Sequence, residues 1–156
     1  AVFRDRRRTC QYYYVIADGR TNRAVGLEAS WNVFTMVRPG QRHPLLTRPV
    51  PDCVLFSQGD RYGHLVDRVK AAHGRLTAPE ALKLMSRPVA MKSNLHNVLF
   101  EPKTGRFWVA VASADGRPAA EQPYHAFRLG ELLERRPAAG CPVQPLPART
   151  VAATGN

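Results

Sequence analysis

Residues 88–102 read PVAMKSNLHNVLFEP and, after Lys103, the chain continues over 104–112 as TGRFWVAVA. Leu95 to Phe100 and Arg106 to Ala112 are runs of β-branched, aromatic and small apolar residues. Glu101 to Gly105 separates them with the chemistry of a type I turn: Pro102 presets φ at the second turn position, and Gly105 can adopt the left-handed conformation that closes the loop. A β-hairpin is expected. Alternation puts Val98 and Phe100 on one face with His96, and Leu99 on the other with Leu95 and Asn97. Phe107, Val109 and Val111 oppose Trp108, Ala110 and Ala112 in the same way, so neither strand has a face suited to water and the sheet is expected to be covered on both sides.

A polar cluster, Ser93, Asn94, His96 and Asn97, sits at the mouth of this apolar hairpin. A buried polar group without a hydrogen-bond partner costs about 1–3 kcal/mol, so the cluster needs an explanation. Either Ser93 and Asn94 shape the loop while His96 and Asn97 pair with neighbouring backbone, or the cluster lines a substrate or oxyanion pocket at the strand mouth.

Outward from the hairpin, Asp60 to His73 has the spacing of an amphipathic helix, with Tyr62, Leu65, Val66 and Val69 inward, Asp60 as its cap and Gly74 at its end. Thr77-Ala78-Pro79-Glu80 has the form of a capping box opening a second, short helix with Ala78, Ala81, Leu82 and Met85 along one stripe, ended before Pro88. Upstream, Gln11 to Ala17 and Ala24 to Trp31 form another expected hairpin around Asp18 to Arg23, with Val33 to Val37 as a third strand. Tyr12, Tyr13 and Tyr14 in that hairpin either pack in a core or line a pocket. Gln41 to Asp52 reads as a surface loop rich in Pro and Arg. Downstream, an extended Pro-containing segment is expected through Tyr124, then a short helix over Phe127 to Arg136 with Leu129, Leu132 and Leu133 inward. The fold class is α+β. Residues 1–136 form the folded part, and residues 137–156, rich in Pro, Ala and Gly without periodicity, are expected to be a disordered tail.

A chain of 156 residues, 44% hydrophobic, is long enough for one domain with a core. Its start at Ala1 within a polar stretch suggests a fragment or a processed product. No apolar run is long enough for a membrane span, and no secretory leader is present, so no membrane partner is expected. The net charge of +11, with Arg4, Arg6, Arg7 and Arg8 as a basic run, raises a nucleic-acid partner. Only Lys70, Lys83, Lys92 and Lys103 are lysine, the arginines are spread along the chain, and no nucleic-acid motif accompanies them. The bias reads as genomic composition more than as a phosphate-binding stripe. Cys10, Cys53 and Cys141 have no metal or disulfide spacing, which makes a reducing, cytoplasmic location the default. His43, His64, His73, His96 and His125 are dispersed, so neither a metal nor a cofactor is expected.

CQYYYVIADGRTNRAVGLEAS (10–30), GDRYGHLVDRVKAAHGRLTAPEALKLM (59–85), the segment from Pro88 to Ala112 and PAAEQPYHAFRLGELL (118–133) together resemble, in that order, the C-terminal half of the acyl-coenzyme A:6-aminopenicillanic acid acyltransferase family. That family belongs to the N-terminal nucleophile hydrolases and is similar to the choloylglycine hydrolases. The resemblance covers about residues 9–134. It implies part of an αββα four-layer sandwich that cleaves or transfers an amide-linked acyl group. In such enzymes a cysteine, exposed by autoproteolysis as the first residue of the mature chain, attacks the amide carbonyl, with its own α-amino group as base and an oxyanion hole holding the charge. An α-amine with a pKa of about 8 is suited to that proton transfer. The first residue here is Ala1, and neither Cys10 nor Cys53 matches the nucleophile. The resemblance therefore implies a nucleophile in an upstream segment or chain of the same enzyme, with a small acylated amide as substrate. It places Ser93 and Asn94 as substrate-positioning or oxyanion-supporting groups, with His96 behind them. Two other readings stand beside this one: a truncated, catalytically inactive binding or interaction module, and a basic nucleic-acid-binding domain.

Overall fold

A computed structural model describes residues 8–44 and 46–135. The expected tail over 137–156, Cys141 within it, and Arg4, Arg6 and Arg7 lie outside the described residues. Strands β1 (Tyr12–Asp18), β2 (Arg23–Ala29) and β3 (Phe34–Val37) are followed by helices α1 (Asp60–Ala72) and α2 (Ala78–Leu84). Strands β4 (His96–Glu101) and β5 (Arg106–Val111), a single 3₁₀ turn at Ala119–Glu121, strand β6 (His125–Arg128) and helix α3 (Leu129–Glu134) complete the order. The described residues thus form a mixed α+β fold with two three-stranded antiparallel sheets, β1-β2-β3 and β4-β5-β6.

The first hairpin pairs Tyr12 with Ala29 through to Asp18 with Arg23. Its turn closes because the Asp18 carboxylate accepts the Arg20 N–H at 2.9 Å and Asn22 takes φ 53°. In β2 the four consecutive residues Gly26 to Ala29 are all buried, so the second half of this strand is covered on both faces. At the first position, bareness is what matters: a Cβ on Gly26 would sit 2.0 Å from Phe56 Cε2 and 2.6 Å from Val54 Cγ1. The missing side chain is the seat for the Phe56 ring.

In α1 the expected stripe is present, with Tyr62, Leu65, Val66 and Val69 buried against Val37, Leu46, Val50 and Val89. Each such burial stabilises by about 1.5–3 kcal/mol, and this cluster is the core. Gly59, with φ 57°, holds the N-cap position expected for Asp60, which enters the first turn instead, where its negative charge suits the helix dipole. The capping box of α2 forms as the sequence predicts, with Glu80 accepting the Thr77 N–H at 2.8 Å. Arg68, on the flank of α1, donates to the carbonyls of Leu84 (2.8 Å), Ser86 (2.6 Å) and Arg87 (2.8 Å), which supplies partners and positive charge to the C-terminal end of α2.

The second hairpin forms in the expected place, pairing His96 with Val111 through to Glu101 with Arg106, and Gly105 takes φ 68°. Two expectations are corrected. β6 pairs Phe127 with Phe107, so Phe127 is in a strand, and the helix begins only at Leu129 with Leu129 and Leu133 exposed. Coverage of the second sheet on both sides is also not what the described residues provide. The face carrying Asn97 and Ala110 is buried, while the face carrying His96, Val98, Phe100 and Val111 is open, with Phe100 65% and Val111 64% exposed. An apolar run does not say whether its own chain or another covers it. The tip of the first hairpin abuts the turn of the second so closely that a Cβ on Gly19 would lie 2.2 Å from the Pro102 carbonyl oxygen. No helix among the described residues is long and apolar enough to cross a membrane.

Candidate functional site

Three segments line an open cavity of about 400 Å³, within the range of small-molecule sites. The start of the first hairpin supplies Gln11, Tyr12 and Tyr13. Phe56, Ser57 and Gln58 lead into α1, which adds Arg61 and Leu65. The end of α2 and the connection to β4 supply Met85, Val89, Ala90, Met91 and Asn94. The Phe56 ring, seated on Gly26, stacks on Tyr13 at 5.1 Å and 11°, so one wall is a fixed aromatic pair. Gln58 Nε2 donates to the Tyr13 hydroxyl at 3.3 Å, which leaves the phenolic proton free to donate elsewhere.

Behind this wall lies a buried carboxylate–imidazole pair. Glu28 of β2 and His43 of the 41–52 loop are 8% and 9% exposed, with His43 Nε2 2.9 Å from Glu28 Oε2. Gln11 Nε2 donates to the other Glu28 oxygen at 2.7 Å. A buried carboxylate is tolerated when both oxygens are partnered, and here they are. Gln11 connects the pair to the cavity. Residues 15 apart in the sequence with no shared period gave no signal of this pair, and Phe56, Gln58 and Arg61 were likewise not readable as site residues.

The predicted residues are distributed unevenly. Asn94 lines the cavity, half-buried, with its amide engaged: Nδ2 donates to the His96 carbonyl at 2.9 Å, and Oδ1 accepts the Ala120 N–H at 3.1 Å. Its backbone carbonyl accepts the Ala119 N–H at 2.8 Å. Asn94 therefore fixes the geometry of the loop that forms the cavity rim. Ser93 and His96 are exposed and outside that rim, so the premise that the whole cluster is buried is corrected. Only Asn97 is buried, and its Nδ2 has no hydrogen-bond partner among the described residues. Tyr12 and Tyr13 line the cavity, the pocket alternative raised for them from sequence.

Cys53 is a poor nucleophile, because burial and the adjacent Asp52 push its thiol up to about 11. Exposed Cys10 is lowered instead, by a hydrogen bond from Tyr12 and another from Thr9. Asp52, Cys53 and His73 bring three donor atoms within 4.8 Å of one another, a metal-ligand set that spacing did not suggest. Two of the three residues are exposed, and the Asp52–His73 pair is already closed at 2.7 Å.

Comparison with known proteins returns no matching family model, no matching curated protein and no matching solved structure.

Proposed function

We propose that this chain is the C-terminal part of a cysteine N-terminal nucleophile amidohydrolase or acyltransferase, with the nucleophile on an upstream segment or companion chain. The observation that carries the reading is the open apolar face of the second sheet. Phe100, Phe107 and Phe127 form a continuous row across it, with ring centroids 5.8 and 5.3 Å apart. Next to it a cavity of about 760 Å³ is lined by Val15, Ile16, Phe100, Phe107 and Leu129. An apolar surface shared by two sheets is what half of a layered sandwich presents before its other layers are added. In this reading the upstream segment covers that face, completes the αββα sandwich and buries His96.

The 400 Å³ cavity then receives the acyl group or the amine of a small acylated amide. The cysteine thiol attacks the amide carbonyl, its α-amine takes the thiol proton and passes it to the departing amine, and a thioester remains for water or an acceptor amine. Asn94 holds the rim, and in this reading Ser93, exposed and outside that rim, meets the substrate only once the upstream segment is in place. The free thiols of Cys10 and Cys53 fit a reducing, cytoplasmic setting.

The test is to express the complete natural reading frame and treat the purified product with a thiol-directed acylating reagent. The reading predicts a companion polypeptide with an acylated N-terminal cysteine that co-purifies with this chain and cleaves an N-acyl amide. Absence of any such cysteine, or amide cleavage unchanged when it is replaced by alanine, would overturn it.

A further inference from the structure

We propose that the 400 Å³ cavity recognises an organic carboxylate through Arg61 and Tyr13. This deepens the reading of that cavity as the substrate site and rests on it. Five arginines among the described residues are half-buried: Arg8, Arg61, Arg68, Arg87 and Arg106. Four of them have acceptors within the chain. Arg8 donates to the Ser30 carbonyl, Arg68 to three carbonyls at the end of α2, Arg87 to the Ala90 carbonyl and Arg106 to Glu101. Arg61 is the exception, with no hydrogen bond or ion pair to any described residue, and among the described residues it is the one charged group lining the cavity.

A half-buried guanidinium without an acceptor among the described residues is stabilised when an anion completes it, because charge-assisted bidentate pairs are the strong ones. The second donor is the Tyr13 hydroxyl. Its oxygen already accepts from Gln58, so its proton is free for an acceptor, and the Phe56 stack holds the ring still. One cation and one neutral donor match the single charge of a carboxylate; a phosphate dianion would keep an unmatched charge. Leu65, Met85, Val89 and Met91 supply apolar lining for the ligand's body, and two methionines adapt to varied shapes. The ligand class is therefore a small monocarboxylate with an aromatic or aliphatic body, whether it is the amide substrate's own carboxylate or the acid released from it.

The experiment is isothermal titration of the chain with 3-phenylpropionate, its neutral isostere 3-phenylpropionamide, and inorganic phosphate. It involves no turnover, so failure of the amide-cleaving reading leaves this result standing, and the reverse. The acid is expected to bind about tenfold or more tightly than the amide, a difference that Arg61→Gln abolishes and Tyr13→Phe reduces. Arg61→Lys keeps the charge and is expected to retain only part of it. Arg61 has no hydrogen-bond or ion-pair partner among the described residues, so urea unfolding midpoints of these Arg61 variants should match the parent chain. Equal affinity for acid and amide, no binding of either, or an unchanged preference in Arg61→Gln would overturn the proposal. Phosphate binding as tightly as the acid would overturn it in favour of a phosphate site.

Discussion

Replacing Gly26 by alanine tests the link between fold and site, because the added methyl must enter space that Phe56 occupies. Its Cβ would lie 2.0 Å from Phe56 Cε2, 2.9 Å from Cδ2 and 2.6 Å from Val54 Cγ1. Carbon atoms in contact are separated by about 3.5–4.0 Å, so the ring must retreat by roughly 1.5 Å and Val54 by roughly 1 Å. The ring cannot retreat freely, since its other face stacks on Tyr13. Overpacking of this kind costs about 1–3 kcal/mol, and loss of the stack adds about 0.5–1.5 kcal/mol. Alanine returns about 0.5–1 kcal/mol through its better strand conformational preference. A net loss of about 0.5–4 kcal/mol, centred on about 2, is expected by urea unfolding, with altered Tyr13 ring resonances and weaker ligand binding in the cavity. Gly63→Ala in α1 is the control: its Cβ meets only Arg48 Nη1 at 3.7 Å, so stabilisation of up to about 1 kcal/mol is expected there. A Gly26→Ala chain as stable as the parent, with unchanged Tyr13 resonances, would refute the close approach and the fixed wall built on it.

Arg68→Lys removes the fork that reaches three carbonyls at once, so a loss of about 1–3 kcal/mol by urea unfolding is expected; an unchanged midpoint would contradict the strap. Donation from the His73 ring N–H to the Asp52 carboxylate raises His73 above its usual 6.5, and the same contact lowers Asp52 below 3.8. The His73 contribution is therefore full below pH 6.5 and fades as pH rises through the raised value, while that of Asp52 is lost as pH falls below 3.8. NMR titration should place His73 above 6.5 in the parent chain and lower in Asp52→Asn; identical titrations would contradict the pairing. In a Cys141→Ser background near neutral pH, iodoacetamide should alkylate exposed Cys10 well before Cys53, and the opposite order would contradict the two thiol environments.

The elements legible in the sequence are those specified locally. The α1 stripe repeats at helical spacing, the α2 capping box lies within four residues, and both hairpins carry their turn chemistry between apolar runs. β6 was not legible because its four residues, His125 to Arg128, are all exposed and gain strand geometry by pairing with β5, a contact no local pattern encodes. The cavity was legible in part. Asn94, Tyr12 and Tyr13 stand out as a polar residue at the mouth of an apolar hairpin and as aromatic residues in a strand, whereas Arg61 follows the first residue of α1 with no local pattern that marks it as a site residue. The wall itself depends on Gly26 receiving Phe56 from 30 residues downstream, a tertiary fit between two segments that look unremarkable alone. The open face shows the limit of strand periodicity most plainly. His96, Val98 and Phe100 alternate as a buried face does, yet nothing among the described residues buries them.

The central claim is that this chain works as one part of an N-terminal nucleophile enzyme, and the intact mass and N-terminal sequence of the native polypeptide from its source test it most directly. The account predicts a longer translation product, or a companion chain beginning with cysteine that remains bound to this one. A native chain beginning at Ala1, with no companion and with the Phe100 and Phe127 face still open in solution, would contradict it.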